Sequence, residues 1–309
     1  MAPDRGEPAL ERLVPPEKDA SVADDDPPLG APAPAADPKI QALISPSSQP
    51  AATRPALPAD PGRAGADFKI GFEARQRDDL LTARTRLNHA FRAGLPADQA
   101  KQARELLADL AERTIFSRAI ITDDPLVDQY VVRSGDALVK IAKRFRISED
   151  FLAKTNRITN KNFIREGRRL KVVNGPFHAA INKSDHLMHV YLQDVYVRTY
   201  RVALGANGST PTGRWKVANH QENPGWTNPQ TGKRWHANDP KNPIGEYWIG
   251  IEGIEGDAIG QFGYGIHGTI EPETIGQDVS MGCVRLAPDD IAAVYRLLLP
   301  GESLVTVSD

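Results

Sequence analysis

Cysteine is almost missing from this sequence. A single one, Cys283, stands in 309 residues, so no internal disulfide can staple the fold, and stability must come from packed cores. Aromatic side chains are sparse, at 6% of residues, and the basic stretches lack the interleaved rings on which nucleic-acid bases stack. Neither charge sign dominates. The formal net charge is −2, too small a field to draw the whole molecule to nucleic acid or to a membrane. No apolar run approaches the roughly 18 residues needed to cross a bilayer. The opening residues, MAPDRGEPALERLVPP, hold no hydrophobic segment of the kind a secretory signal needs. There is no HExxH and no cysteine cluster. His186 and His189, three apart on an expected strand, would point to opposite faces. No metal and no cofactor is expected.

What is present is unevenly distributed. Residues 1–66 carry a net charge of −4, 67–128 of −1, 129–173 of +8 and 177–309 of −5. The first 66 residues are rich in Pro, Ala, Asp and Ser and poor in β-branched and aromatic types. Such a composition cannot bury enough apolar area to offset its ordering cost, so a disordered spacer is expected there. From Asp67 the pattern changes. Leu80, Ala83, Leu87, Ala90 and Phe91 recur at helical spacing, as do Ala103, Leu107, Leu110 and Thr114. Ala93-Gly94-Leu95-Pro96 separates the two runs. A helical hairpin over 67–120 follows, expected to pack on the next domain or on another chain because one such unit buries its apolar face poorly.

In 129–173, Gln129-Tyr130-Val131-Val132 alternates as a strand, and Ser134-Gly135-Asp136 is a turn. Leu138, Ile141, Ala142 and Phe145 mark a short helix. Ser148 caps a second helix, and Leu170-Lys171-Val172 closes the block as another strand. Residues 177–309 read as mostly strand with one helix opened by Pro288-Asp289-Asp290. Leu187–Leu192 and Val195–Val202 form a hairpin about Gln193-Asp194. Residues 219–246, polar and rich in Pro, Gly and Asn, form a long irregular segment of the kind that carries function. The expected chain is therefore multidomain, with a β-rich last domain behind a βααβ module and a helical hairpin.

The chemistry centres on Ile266–Leu286. A thiolate is the nucleophile in cysteine chemistry and needs a base or cation nearby to form. His267 lies sixteen residues before Cys283, too far to share a helix face. Glycines at 263, 265, 268 and 282 suggest two extended segments whose side chains meet where the segments end. Gly282 permits a sharp turn before the sulfur, and the N–H groups of Gly282 and Cys283 are candidates for an oxyanion hole.

His267-Gly268-Thr269 and Ser280-Met281-Gly282-Cys283-Val284-Arg285-Leu286, with Thr210-Pro211-Thr212-Gly213 and Asn242-Pro243-Ile244-Gly245 before them, resemble the L,D-transpeptidases with a YkuD-type catalytic domain. The block 129–173, with Tyr-x-Val-x-x-Gly-Asp-x-Leu, resembles a LysM module, which implies binding to N-acetylglucosamine-containing glycans. It departs from that pattern at Ala137, Arg146 and Arg168. The first resemblance implies Cys283 as nucleophile, His267 as its base and the Gly268 carbonyl as the group orienting the imidazole, with Ser280 and Arg285 supporting the site. Many members carry histidine where Met281 stands. The implied reaction is a 3→3 cross-link between peptidoglycan stem peptides through a cysteine acyl-enzyme, with release of D-alanine. Water as acceptor would instead make an L,D-carboxypeptidase, and D-amino acids would give exchange. Trp226 and Trp235 are candidates for an apolar lid. Arg285 would bind a stem carboxylate or brace an acid such as Asp278.

Two rivals stand beside this reading: a non-catalytic wall-binding protein and a papain-like protease. The implied partners are stem peptides and glycan strands, and the implied location is the cell envelope. An export signal or membrane anchor is then expected outside this sequence.

Overall fold

The computed structural model describes residues 60–309. The spacer expected over 1–66 lies, for residues 1–59, outside the described residues; its last seven residues do not fit it. Asp60 accepts a hydrogen bond from the Arg63 N–H at 3.0 Å and caps helix α1, Pro61–Gln76, with proline in the first turn. α2 (Leu80–Ala93) and α3 (Ala97–Ala111) follow, the latter running into a π-turn over Glu112–Phe116. The expected hairpin is thus a three-helix unit. α1 gave no periodic signal because small residues carry its contacts. At Gly71, an added Cβ would come within 2.7 Å of the Leu87 side chain, so only glycine lets α1 and α2 approach this closely.

The βααβ module comprises β1 (Val127–Val131), α4 (Leu138–Arg144), α5 (Glu149–Thr155) and β2 (Arg169–Val173). β1 and β2 pair antiparallel, with Tyr130 opposite Leu170. Ser148 Oγ accepts from the Phe151 N–H at 3.0 Å, as its helix-capping position requires. Arg146, one of the three departures, has φ of 56°, a left-handed conformation that favours glycine. Its guanidinium is held by Glu302 at 2.8 Å.

The last domain is one curled sheet with a helix. Its strands are β3 (Phe177–Asn182), β4 (Leu187–Leu192), β5 (Val195–Arg201), β6 (Leu204–Gly205), β7 (Gly213–Glu222), β8 (Trp226–Thr227), β9 (Arg234–Trp235), β10 (Tyr247–Glu255), β11 (Tyr264–His267), β12 (Asp278–Ser280), β13 (Val284–Arg285) and β14 (Leu304–Ser308); α6 is Pro288–Tyr295. Eight of them form the main sheet in the order β13-β11-β10-β7-β14-β3-β4-β5. β12 pairs with β6, and β8 pairs with β9. Trp215, on the central β7, is fully buried and packs on Tyr264 with ring centroids 5.2 Å apart.

The three units share their packing. The helices cover the β5 end of the sheet: Asn88 donates to the Asp194 carbonyl at 3.0 Å and accepts from the Tyr196 N–H at 3.0 Å, and Arg198 pairs with Glu112. Arg84 on α2 grips Asp124, just before β1, through two bonds of 2.9 and 2.6 Å. The Lys171 ammonium, buried in β2, donates to the carbonyls of Thr114 and Ser117 at 2.6 and 2.8 Å. Burial lowers its pKa to about 8, with Asp124 opposing and Arg84 assisting. Phe177 of β3 meets Phe151 of α5 edge-on at 5.3 Å. The packing of the helices on both later domains supplies the cover that one apolar helical face lacks alone.

Candidate active site

Sheet register brings Cys283 and His267 together. β13 runs parallel to β11, with Ile266 opposite Val284 and His267 opposite Arg285. One residue earlier, the same register sets Cys283 beside Gly265. His267, two residues beyond Gly265, then projects on the same face as Cys283, as a diagonal neighbour across the strand pair. Both line a cleft of about 290 Å³, with Trp226, Pro243, Trp248, Tyr264 and Arg285 among its walls.

The imidazole is fixed from behind. His267 is buried, and its Nδ1 lies 2.6 Å from the Gly268 carbonyl. A carbonyl only accepts, so Nδ1 carries the hydrogen and Nε2 keeps its lone pair. Burial lowers the His267 pKa to about 4, against the Gly268 carbonyl, with Arg285 adding repulsion and Ile244 opposing. Burial also raises the Cys283 thiol, opposed by a backbone interaction with Gly265 and by the Arg285 charge. The resting pair is therefore a neutral thiol beside a neutral imidazole.

The turn before the sulfur is braced from two sides. Ser280 Oγ donates to the Cys283 carbonyl at 2.6 Å and accepts from the Gly282 N–H at 3.0 Å. Thr210 Oγ1 donates to the Gly282 carbonyl at 2.9 Å and accepts from the Gly205 N–H at 2.8 Å. Gly282 has φ of 132°, and a Cβ there would lie 2.7 Å from the Tyr264 ring and 2.9 Å from the Ser209 carbonyl oxygen. No other residue fits. These bonds revise the oxyanion-hole expectation. The Gly282 N–H is taken by Ser280, whereas the Cys283 N–H has no hydrogen-bond partner among the described residues. Ser280 is thus a brace of the loop, although it also lines the cleft.

The remaining candidates separate. Trp226 lines the cleft together with Pro229. Trp235 does not; it stacks behind Trp226 at 5.2 Å, in the small β8–β9 hairpin, with Lys233 over its ring at 4.7 Å. Arg285 lines the cleft but pairs with Glu271 at 3.6 Å. Asp278, the acid expected for it, instead meets His186 at 3.0 Å. Arg285 Nε is buried without a hydrogen-bond partner among the described residues. Asn242 is buried and ties two loops, donating to the Pro224 carbonyl at 2.7 Å. Sequence reasoning missed Trp248, which stands opposite His267 across β10 and β11, and it quoted Thr210 only as part of a turn. Among the described residues, no group of three or more His, Cys, Asp or Glu is placed to hold a metal ion, and no helix is long and apolar enough to cross a membrane.

The curled β-sheet, with a cysteine and a carbonyl-oriented histidine sharing a cleft at its edge, defines the class of this domain. Comparison with known proteins gives that class its family. The family model of the L,D-transpeptidase catalytic domain, YkuD, matches residues 176–307, and that of the LysM domain matches 130–173. YqjB of Bacillus subtilis, assigned to the L,D-transpeptidases, is 32% identical over 138 residues, which cover 44% of this chain and 73% of that protein. YkuD of the same organism is 29% identical over 187 residues, 58% of this chain and 98% of that one. An L,D-transpeptidase structure from Mycobacterium smegmatis superposes with a TM-score of 0.34 at 16% identity, over 46% of this chain and 64% of that one. The chain belongs to the YkuD-type L,D-transpeptidase family and carries a LysM domain.

Proposed function

We propose that this protein forms 3→3 cross-links between peptidoglycan stem peptides. Cys283 attacks the carbonyl of the third stem residue as His267 Nε2 takes the thiol proton. The developing oxyanion is met by the Cys283 N–H. Collapse of the tetrahedral intermediate breaks the bond to D-alanine, whose amine leaves with the proton that the imidazolium returns. The side-chain amine of a second stem then attacks the thioester, restoring the thiol and closing the cross-link. The neutral pair suits this sequence, because the proton moves with the attack and back to the leaving amine. Arg285, which lines the same cleft as Cys283, is suited to a stem carboxylate. The LysM domain would hold the glycan strand, where exposed Phe163 borders a concavity of about 480 Å³ with Arg157, Arg165 and Arg168. The protein would act in the cell envelope, on the wall side of the membrane.

The observation that carries this reading is the placement of Cys283 and His267 on one face of adjacent strands, in a shared cleft. The test is incubation with purified muropeptides, products being identified by mass. Release of D-alanine with a cross-linked dimer is the expected result. Tripeptide without dimer would mean that water is the acceptor and the enzyme a carboxypeptidase. Cleavage of an ordinary L-peptide would point to a protease instead.

A further inference from the structure

Trp248 belongs to no sequence motif used above, yet it touches the site more intimately than either tryptophan that was expected to. It faces His267 directly across the β10–β11 pair. The two rings are 5.8 Å apart at their centroids and 16° from coplanar, an offset stack. From that stack the indole extends over Gly265. A Cβ at Gly265 would lie only 2.5 Å from the Trp248 ring atoms Cη2 and Cζ2, so the missing side chain of Gly265 is what admits the indole. By strand register, Gly265 is also the neighbour of Cys283. The indole therefore lies along the floor of the cleft that both reacting groups line, covering one face of the imidazole.

We infer that Trp248 is a positioning residue for the transfer reaction: its indole holds the His267 ring in the plane that directs Nε2 at the sulfur and keeps water off that ring face. Backbone interactions with Gly268 and Ile244 hold the ring at its edge, and a flat partner against its face limits its tilt. The other charged or titratable groups facing the imidazole are few. Among the described residues they are Cys283 and Tyr264 in the cleft, and Arg285, which is paired with Glu271. None of them offers a stacking surface on the β10 side. Dehydration also disfavours the imidazolium, in line with the lowered His267 pKa. The inference rests on the Cys283–His267 reading, and its test can fail separately from that reading.

The test uses the full chain with Trp248→Phe, which keeps a flat ring, and Trp248→Leu, which fills space without one. Thermal unfolding of each variant controls for the fold. Acylation of Cys283 by a carbapenem, followed by mass, reads the assembled pair. Alkylation by iodoacetamide across pH reads the thiol with no transpeptidase substrate involved. Trp248→Phe is expected to acylate within a few-fold of the parent. Trp248→Leu should slow the maximal acylation rate on the order of 10–100-fold, the usual effect of misplacing a reacting group, with little change in half-saturating concentration. Its acid limb should move up in pH and its alkylation midpoint down, as water reaches both groups. A Leu variant that folds, acylates at the parental rate and keeps both pH midpoints would overturn the inference. So would a loss confined to half-saturation, which would make Trp248 a substrate contact. If the parent protein is not acylated at Cys283, the transpeptidase reading fails, while the alkylation profiles still decide the role of Trp248.

Discussion

The two ends of the main sheet are built on opposite principles. At the β5 end, the polar groups that meet the helices are paired and covered, although the Tyr200 hydroxyl on β5 is buried without a hydrogen-bond partner among the described residues. Asn88 closes both of its bonds on the edge strand, Arg92 meets Asp194 at 2.7 Å, and the neighbouring Arg84–Asp124 pair is almost fully buried. At the β13 end, groups are left incomplete. Among the described residues, the Cys283 N–H and the buried Arg285 Nε have no hydrogen-bond partner, and Phe262 and Met281 stand exposed on the cleft rim. Buried groups without partners cost free energy, so one end stabilises the fold and the other holds capacity for a ligand. Substitutions should therefore divide by location: stability losses at the covered end and activity losses at the open one.

The sharpest division is expected at the sulfur. Cys283→Ala should abolish carbapenem acylation and D-alanine release, read by mass, while leaving the unfolding temperature close to the parent value. Adducts persisting in that variant would place the nucleophile elsewhere.

Acid should blur the two ends together. His178, His189, His220 and His267 are all held by burial at a pKa of about 4, so the folded protein keeps them neutral. In the unfolded chain each takes a proton near pH 6.5. Their stabilising contribution is whole above that pH and declines as pH falls towards 4, by roughly 1.4 kcal/mol per histidine for each unit. Denaturant melts between pH 7 and 4.5 should show this loss. Activity lost in that window should follow unfolding, because the acid limb set by His267 lies lower.

Arg84→Ala isolates the covered end. It leaves the Asp124 carboxylate buried between the helices and the LysM domain without its two guanidinium bonds. The expected cost is about 3–5 kcal/mol, seen as a shifted denaturation midpoint, with the acylation rate of the remaining folded protein unchanged. Gly282→Ala does the reverse at the open end. Its left-handed φ and the 2.7 Å approach to Tyr264 should cost about 1–3 kcal/mol, and displacement of the sulfur should slow acylation more than it lowers stability.

Much of the open end was readable before any coordinates, and much of the covered end was not. The cysteine, the histidine and the glycines between them are local patterns, and the pairing of two extended segments followed from the glycine positions. Trp248 was silent because its contact with His267 exists only through antiparallel register, which a linear pattern does not carry. The start of α1, residues 61–66, carries no apolar signal and reads as spacer, because small residues, Ala64, Gly71 and Ala74, share the helix's interface with Phe68. Arg84 and Asp124 are 40 residues apart and belong to different units, so no spacing rule links them. The acid for Arg285 was misassigned for a related reason. Asp278 is nearer in sequence, but the chain brings Glu271 to Arg285 and gives Asp278 to His186.

The Arg285–Glu271 pair completes the contrast with Arg84–Asp124. Each joins a guanidinium to a carboxylate, yet the Glu271 side chain is 59% exposed and its contact is 3.6 Å long, whereas the Asp124 side chain is fully buried and held at 2.6 Å. Water solvates Glu271 almost as well as Arg285 does, so Glu271→Gln should cost under about 1 kcal/mol. Salt should shrink even that difference, since exposed pairs are screened within a Debye length. Denaturation of both variants at low and high ionic strength checks the contrast. If Glu271→Gln proved as costly as Arg84→Ala, the open end of the sheet would depend on its ion pairs as heavily as the covered one, and the division between the two ends would not hold.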